Sequence, residues 1–184
     1  MGNMGNQSEG QAVVDAATPA KQAVGKLRHI AFSVPDPWKA ADFYMKAFGM
    51  QKVGETDSDL AIGVYLTDGT INLALLCYKN DEMAGLDRGR DFVGIHHLGF
   101  WVDDVPETRA AIEGAGGKWW MGEVADGGNA FYEVKFRDPN NIVVDVSANG
   151  WGGASKSGTP DARYSPALEN DQLVADRAHL RTKS

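Results

Sequence analysis

The side chains in this sequence best suited to chemistry are the histidines His29, His96, His97 and His179, and one carboxylate, Asp145. In KLRHIAFSV, apolar Ile30, Phe32 and Val34 alternate with His29, Ala31 and Ser33, the period-2 pattern of a half-buried strand. GIHHLGFWV repeats the pattern, with Leu98, Phe100 and Val102 on one face and His97, Gly99 and Trp101 on the other. Further on, Val144 and Val146 share an apolar face, and Val143, Asp145 and Ser147 share the opposite one. Two imidazoles and one carboxylate on one side of a cavity make a facial triad, which leaves positions open on a divalent metal as non-haem Fe(II) sites do. A substrate oxygen reaching such an ion is polarised directly. A lone strand histidine is ordinarily a satisfied structural residue; two at equivalent places, with a carboxylate at a third, favour the metal. Tyr65, Glu133 and Lys135 face the same way, and Glu133 and Tyr65 are the catalytic candidates. His96 is expected on the helix-covered side or the rim, with a structural role. Alternation puts Leu75, 70 residues before Asp145, at the place of a fourth ligand, and puts Cys77 on the same face as a buried reduced thiol. Trp101 and Tyr65 are candidates for an aromatic wall, with Trp119-Trp120 and Phe131-Tyr132 as further aromatic bulk.

The elements that must position these groups occur twice. After the first strand, Asp36-Pro37 opens a helix with Ala40, Phe43, Tyr44 and Ala47-Phe48 at helical spacing, and Gly49 stops it. Strands are expected over 51–55, 61–67 and 70–79, with Asp68-Gly69 as a hairpin turn. The charged stretch DEMAGLDRGRD separates this unit from a second one. There a helix over 104–115 is closed by Gly116-Gly117, and strands fit 118–124, 130–137 and 142–148. The same 68 residues separate His29 from His97 and Gly49 from Gly117. The expected fold is α+β: two βαβββ modules, over 27–80 and 94–148, forming a cupped mixed sheet with helices outside and the chemistry inside.

At 184 residues the chain holds one such body, over 27–150. Residues 1–26 read as a flexible arm, and 151–184 as a tail with a short helix from Ser165 toward Leu180. With 18 basic against 25 acidic residues the net charge is −7, which argues against nucleic acid as a partner. No apolar run approaches the roughly 20 residues that cross a bilayer, so a membrane is not expected either. One cysteine fits a reducing, cytoplasmic setting. Neither a P-loop nor a dinucleotide fingerprint occurs.

The stretches RHIAFSVPDPWKAADFYMKAFGM, HHLGFWVDDVPETRAAIEGAGG and FRDPNNIVVDV resemble the vicinal oxygen chelate superfamily of glyoxalases, bleomycin-resistance proteins and extradiol dioxygenases. The resemblance implies the paired-module fold and ligand positions at His29, Leu75, His97 and Asp145. With leucine at the second of these, the pattern is similar to that of the three-ligand members. The implied activity is metal-dependent, with extradiol-type ring cleavage using Fe(II) or Mn(II) in first place. A glyoxalase-like lyase or isomerase with Ni(II) or Zn(II), and Glu133 as base, comes second. A metal-free binding protein is the third reading. The expected partners are a small-molecule substrate and a second copy of the chain in a homodimer.

Overall fold

The alternating stretches form strands and the capped stretches form helices in the computed structural model, which describes residues 24–85, 87–123, 133–160 and Arg163. The first module consists of β1 (Lys26–Ser33), α1 (Pro37–Phe48), β2 (Gln51–Asp57), β3 (Ala61–Thr67) and β4 (Asn72–Tyr78). A four-residue helix, α2 (Asp81–Ala84), follows in the linker. The second module is β5 (Gly94–Trp101), α3 (Val105–Gly114), β6 (Lys118–Met121), β7 (Val134–Arg137) and β8 (Val143–Ser147). The expected helix beyond Ser165, His179 and the pair Phe131-Tyr132 lie outside the described residues.

Both long helices start at an aspartate cap. Asp36 accepts from the Lys39 amide at 2.9 Å and Asp104 from the Glu107 amide at 2.7 Å, each followed by a proline that needs no amide partner. Gly49, at φ 69°, ends α1 in the left-handed region that a glycine adopts without a Cβ penalty.

The two modules join edge to edge in one eight-stranded mixed sheet, in the order β2-β3-β4-β1-β5-β8-β7-β6. At its centre β1 and β5 run antiparallel, and each lies parallel to the last strand of its own module. This pairing brings His97 opposite Ala31 and His29 opposite Gly99, so both imidazoles emerge at the middle of the sheet. One face of each module carries a core: Leu66, Leu75, Val64 and Ala41 with α1 in the first, Phe136, Val146 and Val102 with α3 in the second. The other face forms the wall of the cup.

Register corrects two placements. His29 pairs with Asn72 and Ala31 with Ala74, whereas His97 pairs with Val143 and Gly99 with Asp145. The counterpart of Asp145 is therefore Ala74, not Leu75. Leu75 is fully buried in the α1 core, and Cys77, two residues on, shares its side of the strand rather than the cup face. The two modules differ by one residue in the spacing of their last strands, and a one-residue shift exchanges the two faces of β4. A methyl group stands where a fourth ligand would be. Replacing Leu75 by Ala should lower unfolding stability by about 2–5 kcal/mol, the usual range for a buried leucine. Denaturant titration checks the loss, and metal stoichiometry should not change.

Candidate metal centre

His29, His97 and Asp145 come together in the cup, each presenting an atom within 4.8 Å of the others'. His29 Nε2 lies 3.1 Å from His97 Nε2, which lies 3.2 Å from Asp145 Oδ2. All three residues are buried. His29 and His97 line a cavity of about 180 Å³ with Tyr65, Tyr78, His96, Glu133 and Lys135, and with Leu60, Met83, Trp120 and Met121; Asp145 adjoins it through His97 and Lys135.

Two hydrogen-bond chains end on groups that only accept, and so set the proton positions on His29 and His96. The Asn72 amide donates from Nδ2 to the Gly152 carbonyl at 2.8 Å, which turns its Oδ1 toward His29 Nδ1, also at 2.8 Å. That oxygen only accepts, so His29 carries its proton on Nδ1 and keeps a lone pair on Nε2. In the second chain His96 Nε2 meets the Ala84 carbonyl at 2.7 Å and must donate to it. Neutral His97 has one proton for two contacts, Nδ1 with His96 Nδ1 at 2.9 Å and Nε2 with His29 Nε2 at 3.1 Å, and Tyr78 Oη also lies 3.1 Å from His96 Nδ1; we place the proton on Nδ1, the shorter contact. His97 Nε2 then also bears a lone pair. Burial holds His29 and His96 at about 4 and pushes His97 well below the ordinary histidine value, so all three are neutral near pH 7. The result is two lone pairs facing each other across 3.1 Å. That arrangement repels unless a positive charge lies between them.

The carboxylates point to the same need. Lys135 donates from Nζ to Asp145 Oδ2 and to Glu133 Oε2, and Trp151 Nε1 donates to Glu133 Oε1 at 2.5 Å. Burial raises the Asp145 carboxyl, and the neighbouring Glu133 charge adds to the rise, although Lys135 opposes both. For Glu133 burial also acts upward, but the Lys135 charge, then the Asp145 carboxyl, His29 and the Trp151 N–H outweigh it, and the net shift is down. Lys135 itself is held charged by the two acids against its own burial. One ammonium thus serves two carboxylates, and Asp145 Oδ1 is buried with no hydrogen-bond partner. Asp145, pushed up to about 8, keeps its proton near neutral pH, and a cation would displace it; two imidazole nitrogens and this carboxyl, with its orphaned oxygen, fit a divalent cation.

Glu133 and Tyr65 line the cavity as expected, and Lys135 binds Asp145 directly. Burial, with the Glu133 charge adding to it, keeps the Tyr65 phenol protonated. Trp101 does not line the cavity; its Nε1 donates to the Ala148 carbonyl at 2.9 Å at the far end of β5. His96 proves to be the residue that orients His97. Asn72, Tyr78 and Trp151 were not singled out from sequence. Asn72 and Tyr78 share the face of Ala74 by the same alternation, whereas no local pattern marks Trp151.

The family model of the Glyoxalase/Bleomycin resistance protein/Dioxygenase superfamily matches residues 26–146. The chain belongs to that superfamily. No curated protein matches it in sequence. Among solved structures, a hypothetical protein of Bacillus halodurans is similar at 18% identity and TM-score 0.54, over 67% of this chain and 93% of that one. Methylmalonyl-CoA epimerase of Streptomyces coelicolor, in complex with 2-nitronate-propionyl-CoA, is similar at 18% identity and TM-score 0.52, over 65% and 94%. The epimerase of Mycobacterium tuberculosis is similar at 16% identity and TM-score 0.53, over 72% and 92%. At these identities the likeness is one of fold.

The neutral histidines make the metal-free protein acid-sensitive. Unfolded histidines take up protons near pH 6.5, but His29 and His96 in the folded chain do so only near 4. Stability therefore falls as pH drops through that interval, by up to about 1.4 kcal/mol per histidine per pH unit. Lowered Glu133 acts in the same direction below its own ordinary range, whereas raised Asp145 costs stability as pH rises above the carboxylate range. Urea midpoints on metal-free protein should decline steeply between pH 6.5 and 4.5.

Proposed function

We propose that this chain is a divalent-metal-dependent enzyme of its superfamily, holding the ion at His29 Nε2, His97 Nε2 and Asp145. Its substrate would be a small, uncharged organic molecule with two adjacent oxygens, and its reaction extradiol-type ring cleavage. The observation that carries this reading is the pair of imidazole Nε2 atoms 3.1 Å apart beside an Asp145 oxygen with no hydrogen-bond partner. A bound Fe(II) or Mn(II) would polarise both substrate oxygens and offer a further open position for dioxygen.

The chain's own residues define the rest. Ala74, in place of a fourth ligand, leaves room on that side of the site. Leu60, Met83, Trp120 and Met121 give an aromatic ring apolar surface to rest on. Tyr65 stays protonated and can donate a hydrogen bond to a substrate oxygen, whereas the Tyr78 hydroxyl already lies 3.1 Å from His96 Nδ1. Among the described lining residues Lys135 is the one permanent cation, and Asp145 and Glu133 already engage it. A phosphate or other anionic tail finds no counter-charge there, which favours a neutral substrate.

A second reading, a lyase, isomerase or epimerase that shifts a proton, draws on Glu133, a carboxylate lining the cavity. The lowered Glu133 value makes it a weak base, and this ranks the reading second. The setting assumed for either reaction is a homodimer in the cytoplasm.

Metal analysis of anaerobically purified protein should find about one iron or manganese per chain, and less than about a tenth of that in His97→Ala or Asp145→Ala. The wild type should consume dioxygen with a catechol, and both variants should not. Nickel or zinc, with turnover of a ketoaldehyde–thiol adduct, would favour the second reading. Absence of metal, with ligand binding that survives EDTA, would overturn both in favour of a binding protein.

A further inference from the structure

Trp151 lies just beyond the second module, yet it is buried against the centre. Its indole stacks on the His29 imidazole, ring centroids 4.8 Å apart and planes 9° from parallel, and its Nε1 donates to Glu133 Oε1 at 2.5 Å. The slot for this ring exists because residue 99 is glycine: a Cβ there would lie 2.7 Å from both Trp151 Cζ2 and His29 Cβ. The segment that delivers it, residues 150–155, is tied down at several points. Thr67 Oγ1 donates to the Gly153 carbonyl at 2.7 Å, the Ser155 amide donates to the Thr70 carbonyl at 3.0 Å, and Arg28 Nε donates to the Ser155 carbonyl at 2.5 Å. Gly150 and Gly153, at φ 70° and 75°, have left-handed backbones, and each sits where a Cβ would strike Trp101 or Thr67. The Gly152 carbonyl receives the Asn72 amide and so sets which Asn72 atom faces His29.

We infer that this strap is a positioning element of the centre: the Trp151 ring fixes the plane of His29, and the Gly152 carbonyl, acting through Asn72, fixes its Nδ1–H tautomer. The inference deepens the metal reading, and its consequence for affinity rests on that reading. The strap acts before any ligand arrives, by selecting the imidazole form whose Nε2 lone pair enters the cup. Partners that orient a metal-binding histidine in this way typically affect affinity by 10–100-fold.

The test reads His29 ring nitrogens by long-range ¹⁵N NMR in the metal-free protein at pH 8, and Co(II) affinity by calorimetry, on the full chain. Wild type should show the Nδ1–H pattern. Trp151→Phe, which keeps a ring on His29 but loses the N–H, should retain that pattern and bind Co(II) within about threefold of wild type. Trp151→Ala removes the ring that seats the strap and so releases the Gly152 carbonyl from Asn72; it should show mixed tautomers and bind Co(II) about tenfold or more weakly. Asn72→Leu, which leaves the indole in place, should lose the Nδ1–H preference and provides the reading if Trp151→Ala does not fold. An unchanged His29 pattern in Trp151→Ala or in Asn72→Leu would overturn the inference. A wild type with the expected tautomer, lost in these variants, but with no Co(II) binding would uphold the strap's role and overturn the metal reading instead.

Discussion

Two imidazole nitrogens held 3.1 Å apart, out of water, are the constraint on which the rest of this structure turns. In solution either imidazole would rotate, change tautomer or take a proton. Here burial keeps the rings neutral, and each Nδ1 proton is committed to a partner whose own hydrogen bonding ends on a backbone carbonyl. A carbonyl cannot exchange roles with its donor, so each chain has one direction. The cost of facing lone pairs is thereby built into the fold, and a cation bound between them relieves it. The acid form of Asp145 can supply one proton to this region; a divalent ion supplies more charge and releases that proton.

The architecture divides this work between repeated and unrepeated parts. Pairing of β1 with β5 at the centre of the sheet brings the two first-strand histidines together. The last strands differ, with Asn72 and Ala74 in one module and Val143 and Asp145 in the other, so one module orients a ligand where the other supplies one. The carbonyls that fix the tautomers, Ala84 and Gly152, come from the two segments outside the modules, the linker helix and the strap. Duplication accounts for the two histidines, and the added segments account for their orientation.

That division also explains what could be read in the sequence. Alternation in a strand is a local signal, and it identified His29, His97 and Asp145 as sharing one face without any structure. Asp36, Asp104 and Gly49 marked the helix ends equally well, because capping is settled within a turn of the chain. Leu75 and Cys77 were misplaced because β4 and β8 were aligned by counting, and the true offset from Ala74 to Asp145 is one residue longer. His96 looked structural because its contact with Ala84 depends on how the linker folds back, which periodicity does not encode. Trp151 reads as the start of a tail, since the glycines around it are turn formers. Their close approaches to Trp101 and Thr67 exist only in three dimensions.

The most direct test of the account is a crystal structure of the manganese- or zinc-loaded protein with anomalous data collected at the metal edge. The account predicts one strong peak between β1, β5 and β8, about 2.0–2.2 Å from His29 Nε2, from His97 Nε2 and from an Asp145 oxygen. Lys135 should remain on Asp145 Oδ2. A peak ligated by other residues, or no peak in this cup at saturating metal, would contradict it.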